Sequence, residues 1–370
     1  MFFRRATDGT RQQISLENLY AGPTSTACWI IGGGPSLARL DLDRLVNAPA
    51  PRFTINLAGS GLFRPHFWTS YDPTARFHRS IYLDPSVTKF VHSGRAMDLV
   101  PETTFKVCEC PALYLIERET QRGFHDFPGA GPEPVTDWQD SLIQAIEIAY
   151  RLGFRQLYLA GCEMVIRPSP PLLREARRRK VFWIPGELLG DFVRRCEQAG
   201  LSRAEMEKFS TQSQYHFDEK KSFVAALQTD AHYFRIAQTL RLCRRSMALA
   251  GLQLTSVTPR SRLNAHFPVM TVAQACRQIE KVTGNPRREQ THGRYSQTMD
   301  RRPANSGPMR DVSPHFWPAK QRSPAMAAQQ QQPEKRQPDK PSPQSSRQNP
   351  SPRQKLQRAL EELPEVAVRL

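Results

Sequence analysis

The chain has 370 residues and a formal net charge of +17, with 52 Lys and Arg against 35 Asp and Glu. It contains no run of about 18 apolar residues, the length that a membrane helix requires. Its seven cysteines are scattered and odd in number, which disfavours a disulfide framework. The opening MFFRR lacks the apolar core of a signal peptide, so the expected location is the cytoplasm.

Composition divides the chain into three parts. Residues 1–26 form an extension with few structural signals, and residues 27–283 hold nearly all of the apolar periodicity. Residues 284–370 are rich in Pro, Gln, Ser and Arg, with 16 Lys and Arg against 8 Asp and Glu. So little apolar material cannot offset the entropy of ordering the backbone, which predicts a disordered basic tail. A tail of this charge suits an acidic partner.

The stretch CWIIGGGPSLARL, residues 28–40, organises the first part of the domain. Its apolar start predicts a buried strand, and the glycines predict a turn that allows close backbone approach. A proline after the turn fits the first position of a helix, which we expect to continue to about Leu45. Strand, glycine turn and helix N-terminus form the geometry that binds phosphate, although the same turn also occurs without a ligand. The candidate phosphate-binding residues are Gly32, Gly33, Gly34, Pro35 and Ser36.

Two better-known nucleotide sites are disfavoured at this stretch. A Walker loop ends in Gly-Lys-Ser/Thr, and no Lys follows these glycines. The dinucleotide fingerprint needs a third glycine where this chain has Leu37, and an acid where it has Asn56.

Polar residues follow the next two predicted strands. The strand at residues 53–57 carries Asn56 near its end, and the strand at residues 66–72 ends on Asp72. Open α/β sheets bind ligands at the carboxyl ends of their strands. Asn56 and Asp72 are therefore candidate ligand contacts, the alternative being that they only cap the following turns.

Residues 136–164 give the second strong pattern. Helical spacing predicts a helix capped by Thr136 or Asp137 and ended by Gly153, followed by a buried strand. Ser141 lies in the first turn of that helix, where its hydroxyl can face an anion. Glu163 follows the strand, and Cys162 is expected to be a small buried residue rather than a nucleophile.

The remaining residues predict helices at 188–201, 202–209, 223–250 and 272–282, and a strand at 252–257. Before them lies a basic segment around residues 174–180, either a solvated helix face or a cationic lid. His216 falls in a polar stretch and His232 on the long helix. The whole pattern predicts an α/β domain with a mostly parallel, Rossmann-like sheet and helices on both faces.

These motifs together resemble a superfamily that includes bacterial sialyltransferases, motility-accessory-factor proteins and 6-hydroxymethylpterin pyrophosphokinases. The resemblance covers about residues 27–270. It implies that Gly32–Ser36 and Ser141 hold phosphate, and that Asn56 and Glu163 hold ribose or base. The family usually has Asp where this chain has Glu163.

The resemblance implies a transferase that uses a nucleotide-activated sugar such as a CMP-sugar, with a glycan or protein acceptor. The family's general-base His precedes a Thr-Asp step, here Thr229-Asp230, and the matching position is Ala225. His216 or His232 would then be the base. No metal-binding residues are expected. These motifs do not indicate whether the activity needs a divalent metal.

Three alternatives stay open at this point. One is a nucleotide-binding protein without catalysis, suggested by Ala225. The second is a pyrophosphokinase-like transferase. The third is a polyanion-binding protein that acts through the basic tail.

Overall fold

The computed structural model describes residues 2–5, 9–17, 20, 27–119, 123–129, 133–209, 213–214 and 220–283. All of these residues belong to one compact unit, Met1–Trp317. The predicted disordered tail, residues 284–370, lies outside the described residues.

The elements alternate between strands and helices along most of the chain. The strands are β1 (Phe2–Arg5), β2 (Arg11–Ile14), β3 (Ala27–Ile31), β4 (Arg52–Ile55), β5 (Phe67–Thr69), β6 (Thr88–His92), β7 (Leu113–Ile116), β8 (Arg118–Glu119), β9 (Val135–Thr136), β10 (Gln156–Ala160), β11 (Ser213–Gln214), β12 (Lys220–Lys221) and β13 (Gln253–Ser256). The helices are α1 (Leu42–Asn47), α2 (Arg79–Leu83), α3 (Ser141–Arg151), α4 (Pro170–Arg178), α5 (Leu189–Gln198), α6 (Arg203–Phe209), α7 (Phe223–Leu242), α8 (Arg244–Leu249) and α9 (Val272–Thr283). Within the described ranges, no helix has the length and apolarity needed to cross a membrane.

Nine strands form one sheet in the order β13-β10-β3-β4-β5-β6-β7-β1-β2. The seven strands from β13 to β7 are parallel, whereas β1 pairs antiparallel with both β7 and β2. The chain leaves β3 towards β4 on one side and later returns, through α3, to place β10 on the other side of β3. The α/β class and the mostly parallel sheet are therefore as predicted, and the N-terminal extension adds an unpredicted antiparallel edge.

Both faces of the strand β3 are buried. Cys28 and Ile30 lie in the core shared with α3, α7 and α8, whereas Trp29 and Ile31 lie in the core shared with α1 and α9. A strand covered by helices on both faces needs apolar residues at every position, which explains the continuous run that begins the glycine stretch. Burial of a side chain of this size contributes about 1.5–3 kcal/mol, so this run is a main source of stability.

Three predicted elements are wrong in detail. The helix expected after the glycines is only a 3-10 turn over Leu37–Arg39, and α1 begins at Leu42 because the Asp41 side chain accepts a hydrogen bond from Arg44 N. The stretch TFKVC, residues 104–108, also predicts a strand. The structure instead has a 3-10 turn there, Val107–Glu109. The long helix predicted to residue 250 ends at Leu242 and is followed by the separate α8.

Helices α4 to α6 pack around their own apolar cluster, which includes Leu172, Phe192 and Met206 and continues to Phe223 of α7. Asp230 attaches this helical segment to the sheet. Its fully buried carboxylate accepts hydrogen bonds from Ile166 N and Leu189 N, both at 2.8 Å, and forms an ion pair with Arg262 at 3.3 Å.

We predict that Asp230→Ala lowers the free energy of unfolding by about 3–5 kcal/mol, because the substitution leaves Arg262 as an uncompensated buried charge. Equilibrium unfolding in urea measures this change. Asp191→Ala is the control, since Asp191 pairs with Arg194 at 3.1 Å on the surface and such pairs contribute at most about 1 kcal/mol. Equal losses in the two variants would contradict the role assigned to Asp230.

Candidate functional site

A cleft of about 280 Å³ lies where several parallel strands end. The loops after β3, β4, β5 and β10 line it on one side, and the N-terminus of α3 and one face of α7 line the other. The predicted site residues in its lining are Gly32, Gly33, Gly34, Asn56, Asp72, Ser141, Glu163 and His232. Pro35 and Ser36 are not part of the lining, and His216 lies outside the described residues.

The position of the cleft follows from the order of the strands. Because the chain leaves β3 in one direction to β4 and β10 lies on the opposite side, the loops that follow β3 and β10 diverge. Such a reversal of strand order opens a crevice at the carboxyl edge of a parallel sheet. Gly32, Asn56 and Gly161 each follow directly after a strand that ends at this edge.

Glu163 occupies the glycine loop. Its Oε1 accepts a hydrogen bond from Ser36 N at 2.6 Å, and Gly34 N donates to Gly161 O at 2.8 Å. A Cβ at residue 34 would overlap Glu163 Oε2 and lie 2.7 Å from Gly161 O, so this approach requires glycine. The backbone N–H of Ser36, predicted to face a phosphate, therefore already binds a carboxylate of the chain itself.

The second oxygen of this carboxylate lacks a hydrogen-bond partner in the described part of the chain. Glu163 Oε2 is buried and accepts no hydrogen bond from the residues that the structure describes. A buried acceptor left unsatisfied costs roughly 1–3 kcal/mol, and a hydroxyl or amine of a ligand in the cleft would remove this cost.

Asn56 and Ser141 form a hydrogen-bonded pair in the cleft. The hydroxyls of Ser141 and Ser70 donate to Asn56 Oδ1 at 3.0 and 2.6 Å, since each hydroxyl oxygen already accepts a backbone N–H, from Tyr71 and Asp72 respectively. This network fixes the orientation of the amide. The Asn56 NH₂ group has no hydrogen-bond partner among the described residues, and Asn56 lines the cleft.

Asn56 holds this position through an uncommon backbone conformation. Its φ is 53°, in the left-handed region that Asn adopts more readily than most residues. The chain thereby turns at the end of β4, and Asn56 O accepts a hydrogen bond from the buried Trp68 ring at 2.7 Å.

Asp140 and His232 form the one pair in the cleft with the geometry of a base and its orienting acid, within the described ranges. Asp140 caps α3, with Oδ1 accepting from Leu142 N and Ile143 N, and its Oδ2 lies 3.0 Å from His232 Nε2. Arg235 lies 3.2 Å from the other ring nitrogen, Nδ1. A guanidinium has only donors, so Nδ1 accepts and Nε2 carries the proton that bonds Asp140.

The charges in the cleft nearly balance. The carboxylates are Asp72, Asp140 and Glu163, and the cations are Arg76 and Lys221. Asp72, predicted as a ligand contact, forms an ion pair with the buried Arg76, while Lys221 donates to Thr229 Oγ1 at 2.9 Å. This balance favours a ligand that offers hydroxyl donors as well as negative charge.

Cys162 is not a nucleophile in this structure. Burial raises the pKa of its thiol far above its ordinary value, so it stays protonated at neutral pH. Its backbone N–H donates to Thr258 Oγ1 at 3.0 Å, and Ser261 Oγ donates to its carbonyl at 2.6 Å. The loop after β13 therefore holds the loop after β10, which lines the cleft, through these two hydrogen bonds. No group of three or more potential metal ligands occurs among the residues described.

Sequence reasoning missed the partner of His232. Thr136 and Asp137 were the predicted caps of α3, but the cap is Asp140, which has the extended φ of −146° that a cap needs. The position of Asp140, directly before the apolar helical repeat, is the feature of the sequence that indicates this cap. Nothing in the sequence indicates its pairing with a histidine on α7, because 92 residues separate the two.

No protein-family model, no curated protein and no solved structure matches this chain. The resemblance to the sialyltransferase superfamily therefore stays a prediction.

We predict that Glu163→Ala creates an anion site in the glycine loop, because it removes a negative charge and releases Ser36 N. Inorganic phosphate should then raise the temperature of thermal unfolding of the variant by roughly 2–4 °C per kcal/mol of binding, and leave the wild type unchanged. Glu109→Ala is the matched control, since Glu109 accepts from Lys106 N at 2.7 Å in a turn outside the cleft. An equal phosphate effect on the wild type and Glu163→Ala would contradict this interpretation of the loop.

Proposed function

We propose that the protein is a glycosyltransferase-like enzyme that transfers a sugar from a nucleotide-activated donor, such as a CMP-sugar, to a hydroxyl of a glycan or protein. The observation that carries this proposal is the convergence of Asn56, Ser141, Glu163 and the Asp140–His232 pair on one cleft. A Rossmann-like topology is part of the proposal, supported by parallel strands on both sides of β3.

The donor nucleotide is placed by complementary hydrogen bonds. The Asn56 amide donates to an acceptor of the ligand, such as a base carbonyl or a phosphate oxygen. Glu163 Oε2 accepts from a ribose or sugar hydroxyl. Because Ser36 N already donates to the Glu163 carboxylate, we place the donor's phosphate nearer to Lys221 than to the glycine turn.

His232 supplies the base. Its Nδ1 takes the proton of the acceptor hydroxyl while the oxygen attacks the anomeric carbon, and the nucleotide leaves with the electrons of the broken C–O bond. Asp140 stabilises the imidazolium that forms and holds the ring in one tautomer. This step requires Arg235, an exposed residue, to leave Nδ1.

A specific observation favours the second candidate, a protein that binds the nucleotide without turnover. Both ring nitrogens of His232 are engaged, by Asp140 and Arg235. If Arg235 does not move, no lone pair is left to accept a proton.

We predict that His232→Ala lowers the rate of nucleotide release from the donor by about 10²–10⁴-fold, the usual effect of losing a general base. Affinity for the nucleotide should stay nearly constant, because Asn56 and Glu163 remain. Asp140→Asn should also lower the rate but keep α3 intact, since Asn caps helices as well as Asp. A panel of nucleotide-sugars, screened first by thermal shift and then for released nucleotide, provides both measurements.

His125→Ala is the control variant, because that side chain is 84% exposed and pairs only with Asp126 among the residues described. Unchanged turnover in His232→Ala would remove His232 from the mechanism. Tight nucleotide binding with no turnover in the wild type would favour the binding protein, and no binding at all would overturn both candidates.

A further inference from the structure

The segment between α4 and α5 presents two large apolar side chains to solvent. Phe182 is 60% exposed and Ile184 is 54% exposed, while Val181 before them is buried. Exposed apolar residues are ordinary when single, whereas these two form a small apolar patch at one loop tip.

Contacts with neighbouring residues fix the conformation of this tip. The intervening Trp183 turns inward, with its ring edge-on to Phe192 at 5.4 Å. Arg195 donates to Phe182 O at 2.9 Å, and Glu187 accepts from Ile184 N at 2.6 Å. The fold therefore fixes Phe182 and Ile184 in solvent on either side of an anchored tryptophan.

The helix and the turn that lead into the tip carry positive charge. Arg174, Arg177 and Lys180 are exposed, and none of them forms an ion pair within the described residues. The nearby acids are neutralised, since Glu175 pairs with Arg178 at 3.0 Å and Glu187 with Arg195 at 2.6 Å. The buried Leu172 and Ala176 lie on the opposite face of α4.

We propose that residues 174–184, the basic face of α4 with the Phe182–Ile184 tip, bind the surface of an anionic lipid bilayer. Apolar side chains flanked by cations fit such a surface, because the side chains enter the acyl region while the cations face the lipid phosphates. The segment packs on Phe223 and Ala226 at the start of α7, and the same helix lines the cleft with Thr229 and His232. The bound membrane would therefore lie on the side of the molecule where this helix begins.

The test is co-sedimentation of the full chain with vesicles of phosphatidylglycerol and phosphatidylcholine, compared with vesicles of phosphatidylcholine alone. We expect the wild type to bind the anionic vesicles. The double substitution Phe182→Ser with Ile184→Ser should lower the partition coefficient at least about tenfold, because it removes the apolar contact. Replacing Arg174, Arg177 and Lys180 by Gln should weaken the binding and reduce its dependence on salt.

Phe105→Ser is the matched control, since Phe105 is 50% exposed but lies between Glu102 and Glu109. Circular dichroism establishes that each variant is folded. Wild-type partition of the double variant would overturn the proposal, because binding would then come from other cations, including those of residues 284–370. Failure of the wild type to bind anionic vesicles, or equal binding to neutral ones, would overturn it as well.

Discussion

The hydrogen bond between Glu163 and Ser36 N joins the loops that follow the neighbouring strands β3 and β10, and the shape of the cleft depends on it. At 2.6 Å it brings the carboxylate against Gly34, where no side chain fits. The loop after β13 supports the arrangement through Arg262 N, which donates to Glu163 O at 2.8 Å. Glu163, which the sequence predicts to contact a ligand, therefore holds together the loops around the cleft.

The same physical arrangement recurs at α3. There the N-terminal N–H groups of Leu142 and Ile143 bind the Asp140 carboxylate, as Ser36 N binds Glu163. Both positions that are best suited to a phosphate by geometry are therefore filled by acids of the chain. Besides Arg76 and Lys221, a ligand of this cleft meets carboxylates and one amide donor, which suits a ligand with several hydroxyl groups better than a bare phosphate.

The sequence predicts best where local physics decides. The buried strands β3 and β10 follow from continuous apolar runs. The end of α3 follows from Gly153, whose φ is 101°. Parallel strands bring their carboxyl ends together, so the meeting of Asn56 with Ser141 could be expected from topology alone.

The sequence fails where partners are distant along the chain. Ser36 N turns to Glu163, 127 residues away, so the expected helix does not begin at Pro35. Asp230 and Arg262 form a buried pair that the Thr-Asp step does not indicate. Residues 1–26 carry few structural signals in the sequence, yet Phe2 and Phe3 extend the sheet beyond β7. Such contacts depend on packing between elements and not on local propensity.

The central claim is that this cleft binds a nucleotide through the Asn56 amide while Glu163 keeps hold of the glycine loop. Titration of the protein, labelled with ¹⁵N at Asn and Ser, with CMP and followed by NMR, tests it most directly. The account predicts that the Asn56 side-chain amide resonances move and saturate, whereas the Ser36 N–H resonance stays almost unchanged. A saturable shift of Ser36 with no response from Asn56 would place the ligand on the glycine loop and contradict the account.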